Sequence, residues 1–139
     1  MTRVIGLDHG KKRIGIAVGD TETAMAFARP ALRRQSMAVD LDTIAALVRD
    51  EDAELVVVGL PRNMDGSEGP QAAAARDFGE RLAAIGLQVA YMDERLTSWQ
   101  AAEELAAEGR EIRRDSGELD SAAARLILQE YLDLSQEPE

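Results

Sequence analysis

The segment "ELVVVGLP", residues 54–61, constrains the fold more than any other. A strand with one wet face alternates apolar and polar residues, whereas an unbroken apolar run closed by glycine and proline is the pattern of a parallel strand covered on both faces. Parallel strands require long crossovers, usually helical, and helical patterns stand on either side. Before the run, "DLDTIAALVRDED" repeats Leu41, Ile44, Ala45 and Val48 at helical spacing, with Asp40 as the expected N-cap. After it, the polar loop "RNMDGSEG" leads to Pro70, suited to a first helical turn. That helix aligns Ala75, Phe78, Leu82 and Ile85 and is closed by Gly86. "LQVAYMDER" reads as a further strand and "TSWQAAEELAAEG" as a short helix. The last helix is expected to begin near Asp120, with Ala123, Ile127 and Tyr131 along one side.

The N-terminal part reads differently. "RVIGLD" and "RIGIAVGD" are strands joined by a tight turn at His9 to Lys12, and "AMAFARPALRR" supplies a third, antiparallel strand that Pro30 assigns to an edge. Antiparallel strands followed by strand–helix units give an α/β class with a mixed sheet covered by helices. The 139 residues suit one core, expected over 1–134, with 135–139 as a frayed tail. Cysteine is absent, which removes disulfides, thiolate metal sites and cysteine nucleophiles. No run reaches the roughly 18 apolar residues of a membrane helix, so no membrane partner is expected and the expected location is cytoplasmic.

In such sheets ligands gather at the carboxyl ends of parallel strands. Asp8, the loop from Pro61 to Glu68, and Asp93 to Arg95 each follow a strand, and Asp120 opens the last helix. Two ionised carboxylates about 4 Å apart repel by about 4 kcal/mol at an effective dielectric of 20, so such a cluster calls for a cation. Oxygen ligands with a single histidine favour Mg²⁺ or Mn²⁺ over zinc, and two such ions can clamp the attacking and leaving oxygens of a phosphoryl displacement. Each residue also has an ordinary reading: Asp8 and His9 as turn residues, Asp120 as an N-cap, Asp93 and Glu94 as a solvated loop paired with Arg95. With 26 acidic and 16 basic residues the net charge is −10, which taken alone argues against coating of nucleic acid by bulk attraction, unless divalent cations neutralise clustered carboxylates at the contact. A polyanion would need local cations. Lys12, Arg13, Arg62 with Asn63, and Arg95 stand near the strand ends, and Arg113 and Arg114 lie just before Asp120.

"GLDHGKKRIGIAVGD", "VVVGLPRNMDGSEGPQ", "DERLTS" and "LDSAAARLILQEYL", in that order and over nearly the whole chain, resemble the YqgF or RuvX family, a bacterial group similar to Holliday junction resolvases. The resemblance implies a ribonuclease H-like fold with a five-stranded mixed sheet flanked by α-helices. It implies an acidic, metal-binding site at Asp8, Glu94 and Asp120, with Asp93 as the alternative to Glu94 within "DER". It also implies a nuclease that hydrolyses phosphodiester bonds, acting in 5′-end processing of pre-16S ribosomal RNA on a precursor particle. A resolvase for branched DNA, working as a homodimer because a four-way junction offers two equivalent strands, is the alternative, and a non-catalytic ribosome-assembly or RNA-binding factor is another. The first hairpin also looks like the phosphate-binding hairpin of sugar kinases and actin-like ATPases, but those enzymes close two domains over ATP. Two departures stand out: Glu118 lies where the family commonly has a lysine close before the aspartate, and Arg62 stands where an apolar residue is more usual.

Overall fold

The structure is a computed structural model that describes residues 2–63, 65–93 and 117–135. Five strands, β1 (Arg3–His9), β2 (Arg13–Asp20), β3 (Met25–Arg33), β4 (Ala53–Leu60) and β5 (Val89–Asp93), form one mixed sheet in the order β3-β2-β1-β4-β5. The first three strands pair antiparallel, and β1–β4 and β4–β5 pair parallel. The apolar run at Val56 to Leu60 is thus buried beside the central strand, as its composition requires. Pro30 lies on edge strand β3, where the register slips between the Ile14–Leu32 and Ile16–Arg29 pairs. A residue without an N–H is tolerated at such a bulge.

Alternation along the strands divides the core in two. Ile5 and Leu7 of β1, Ile14 and Ile16 of β2 and Val58 of β4 pack with Ile44 of α1 (Met37–Asp50) and with Ala75, Phe78 and Leu82 of α2 (Pro70–Ala84). On the other face Val4, Ala17 and Val57 pack with Ala124, Ile127, Leu128 and Leu132 of α3 (Glu118–Ser135). Burying one such leucine or isoleucine contributes about 1.5–3 kcal/mol, so each helix is held mainly by its apolar face.

Two expectations are corrected, and a third, the start of the last helix near Asp120, holds to within two residues. The N-cap of α1 is Ser36, whose hydroxyl accepts the Val39 N–H, and Asp40 lies buried inside the first turn. Ile85 is not on the buried face of α2: it follows the helix and is 50% exposed, and Gly86 reverses the chain at φ 103°. The last helix starts at Glu118, two residues before Asp120. The expected helix at 97–109 and residues 136–139 of the expected tail lie outside the described residues. Among the described residues no helix is long and apolar enough to cross a membrane.

Candidate active site

β1 runs through the middle of the sheet and carries Asp8 to its carboxyl end. Gly6 faces α3, against Leu128, so Asp8, two residues on, faces the same side. Its cross-strand partner on β2 is Gly15. A Cβ there would collide with the backbone of Asp120, and one at Gly19 would meet Leu132 at 2.9 Å. The small residues of this face therefore let α3 rest on the sheet and bring its first turn over Gly15. Ser121 anchors that turn by accepting the Ile16 N–H at 3.4 Å. Gly117, at φ 79°, brings the chain in against Ala31 and the Arg13 side chain. Asp8 and Asp120 consequently line one cavity of about 760 Å³.

Burial pushes the Asp120 carboxyl above its usual range, and the nearby positive charge of Arg13 acts against that shift. A half-buried carboxylate that resists ionisation, sharing a cavity with a second aspartate, is the donor chemistry that a hard divalent cation relieves. Asp8 and Asp120 thus fit Mg²⁺ or Mn²⁺ as two oxygen donors. Among the described residues no group of three or more histidine or acidic side chains is arranged to hold a metal. Glu94, the third expected carboxylate, lies outside the described residues. Asp93 follows the alternation of Val89 and Tyr91 onto the α2 side, and there it meets Arg62 at 4.0 Å. It does not line the cavity wall with Asp8.

Of the expected cations, Arg62 lines the cavity together with Asn63. Arg62 is ion-paired to Glu68 at 3.3 Å as well as to Asp93, and Glu68 is held in turn by Arg76 at 2.6 Å. The Asn63 amide donates to Ser67 at 2.9 Å, which closes the loop before α2. Arg13 stands beside Asp120, whereas Lys12 is exposed and Lys11, its neighbour, lines the cavity. Arg95, Arg113 and Arg114 lie outside the described residues. The turn glycine, Gly10, donates its N–H to the Arg13 carbonyl at 2.9 Å, and a Cβ on Gly10 would meet that oxygen at 2.7 Å. Its small size thus serves the turn itself.

Arg34 and Asp40 are the residues that sequence reasoning missed. Asp40 is fully buried; it accepts the Gln35 N–H and the Arg34 Nε–H, each at 3.1 Å. Arg34 Nη1 lies 2.9 Å from His9 Nε2, so His9 accepts there and is neutral, and its ring packs on Phe78 at 4.9 Å. Burial first, then the Arg34 charge, lowers the His9 pKa to about 4. His9 and Arg34 also line the cavity. The one available signal was a charged pair, Arg33 and Arg34, at the end of an apolar strand.

Residues 2–134 match the family described as "RuvX: Holliday junction resolvase". A relative from Synechococcus elongatus named "Putative pre-16S rRNA nuclease" is 44% identical over 135 residues, covering 96% of this chain and 91% of the relative. A relative of the same name from Anaeromyxobacter sp. is 46% identical over 132 residues, covering 94% and 96%. Among solved structures, T. thermophilus RuvC in complex with a Holliday junction substrate superposes with a TM-score of 0.59 at 16% identity, covering 96% of both chains. The Fowlpox virus resolvase with Holliday junction DNA gives 0.59 at 11% identity, covering 98% of this chain and 100% of that one. At such identities these likenesses speak to architecture, and the five-stranded mixed sheet with its flanking helices is the ribonuclease H-like resolvase fold. With that architecture, a nearly full-length family match and relatives named as nucleases, the chain belongs to the RuvX family, a nuclease-type family.

Proposed function

We propose that this protein is a divalent-metal-dependent phosphodiester hydrolase that processes the 5′ end of pre-16S ribosomal RNA, on naked precursor or on a precursor particle. The observation that carries this reading is the meeting of Asp8 and Asp120, from opposite ends of the chain, in a cavity that also contains Lys11, Arg34 and Arg62. Asp8, Asp120 and Glu94 would hold two Mg²⁺ or Mn²⁺ ions. Bound ions of this kind neutralise charge on the phosphate and acidify the attacking water. Asp93 is engaged with Arg62 on the other face of the sheet, which favours Glu94 as the third donor. Lys11, Lys12 and Arg62 orient the sugar–phosphate backbone, with Asn63 shaping the loop that presents Arg62, and Arg95, Arg113 and Arg114 add contacts around it. Arg13 partly offsets the effect of burial on the Asp120 carboxyl, which still lies above its usual range.

The ribosomal substrate is preferred because relatives at 44% and 46% identity carry that name, whereas the junction resolvases share only 16% and 11%. The test incubates the purified protein with a pre-16S fragment bearing its 5′ leader, and separately with a four-way DNA junction, each with Mg²⁺, Mn²⁺ or chelator. Cleavage of the RNA that chelation abolishes is the expected result. Metal-dependent cleavage of the junction alone, by a protein that elutes as a dimer, would assign the resolvase activity instead. RNA binding without cleavage would make the protein an assembly factor.

A further inference from the structure

Arg34 is fixed by contacts that leave one end of its guanidinium unused. Nε donates to buried Asp40 at 3.1 Å, Nη1 donates to His9 Nε2 at 2.9 Å and to the Gly10 carbonyl at 3.2 Å, and the group lies 5.8 Å from the centre of the Phe78 ring. An arginine carries five N–H donors, and these contacts engage three. Among the described residues Nη2 has no partner, and it is not sealed off: the one buried side-chain nitrogen or oxygen without a partner is Arg62 Nε. Arg34 instead forms part of the wall of the cavity that holds Asp8 and Asp120. The acceptor on Nη1 is a neutral imidazole, so among the described residues Asp40 is the one counter-charge within ion-pair distance.

A planar donor held in one orientation loses little freedom on binding an anion, which is how arginine differs from a surface lysine. The position also matters. Asp8 faces α3, whereas His9, the next residue, faces α2 and holds Arg34 on that side. The cavity is therefore lined from both faces at the carboxyl end of β1, carboxylates on one and a fixed guanidinium on the other. A nucleic-acid strand crossing that end would present successive phosphates to the two. We propose that Arg34 binds, through Nη2, a backbone phosphate flanking the scissile one, which makes it a substrate-binding residue. This rests on the reading of the cavity as a nuclease site.

The test measures binding of a structured pre-16S leader RNA to the full chain in the cleavage-deficient Asp8→Asn background, from 50 to 200 mM KCl. Arg34→Gln is expected to weaken binding about five- to tenfold at the low-salt end and to reduce the slope of log K against log salt by about 0.7 to 0.9, the amount lost with one phosphate contact. Asp40→Asn is expected to lower Tm while leaving the slope unchanged, because the cation remains. If Arg34→Gln lowers Tm but leaves the slope intact, the residue is only structural and the proposal is overturned. Should that variant not fold, Arg34→Lys decides: the proposal requires a several-fold affinity loss at constant slope, and an unchanged affinity refutes it. If the parent protein binds no nucleic acid at any salt, the functional reading itself fails and this proposal with it.

Discussion

The carbonyl of Asp120 occupies the space that a side chain on Gly15 would fill. Because Gly15 pairs with Asp8 across β1 and β2, this contact sets how far the two aspartates stand apart. Gly15→Ala meets backbone and not a yielding side chain, so it is expected to destabilise by about 3 kcal/mol and, where it still folds, to lose cleavage as α3 is pushed off the sheet. Gly86→Ala is the control. At φ 103° with open space around it, it should cost about 1–2 kcal/mol in backbone strain and leave activity intact. Thermal melts and cleavage assays on the two variants separate the effects.

Asp120 is held against its preference. An acid whose pKa is raised by burial contributes least to stability above that raised value and most below its ordinary one, so ionised Asp120 weakens the fold at neutral pH. Asp120→Asn is therefore expected to raise Tm at pH 7 in chelator while abolishing metal-dependent cleavage. Adding Mg²⁺ should stabilise the native sequence, toward about 2.7 kcal/mol at a hundredfold excess over Kd, and the variant much less. Calorimetry with and without metal checks both.

His9 behaves in the opposite sense. Its pKa is near 4 in the fold and about 6.5 in an unfolded chain, so between those values the unfolded state binds more protons. The stability that neutral His9 confers is complete above pH 6.5 and is lost as pH falls toward 4. Arg34 and Asp40 face the ring, and Asp77 of α2 also bears on it. His9→Gln keeps an acceptor for Arg34 without the titration, and its Tm should fall less between pH 7 and pH 5 than that of the native protein. Parallel curves would refute this.

The fold was legible wherever one short segment carried the cause. Val56 to Leu60 announce a doubly buried strand, Pro30 an edge, Pro70 and Gly86 the limits of a helix. What escaped depended on partners distant in sequence. Asp40 reads as a cap, and only the fold shows its carboxylate taken by Arg34 while Ser36 caps the helix. Arg34 itself gains meaning from His9, twenty-five positions earlier. The site was legible in part: Asp8, Arg62 and Asn63 could be placed at strand ends by rule, but choosing Lys11 over Lys12 as a cavity residue required the turn geometry.

Arg62 shares Glu68 with Arg76, and the hydrogen bond from Arg76 is the main reason that the Glu68 carboxyl is held below its usual range. Glu68→Gln removes one carboxylate that competes with phosphate for Arg62. It should tighten RNA binding about two- to fivefold, the scale of a surface ion pair. Weaker binding in filter or anisotropy titrations would show that Glu68 serves to position Arg62.

The central claim is tested most directly by the single-turnover rate of pre-16S RNA cleavage at saturating Mn²⁺ for the native protein and Asp8→Asn, with circular dichroism confirming that both are folded. The account predicts a loss of about 10³-fold or more at unchanged secondary structure. A folded Asp8→Asn protein that cleaves as fast as the native one would contradict it.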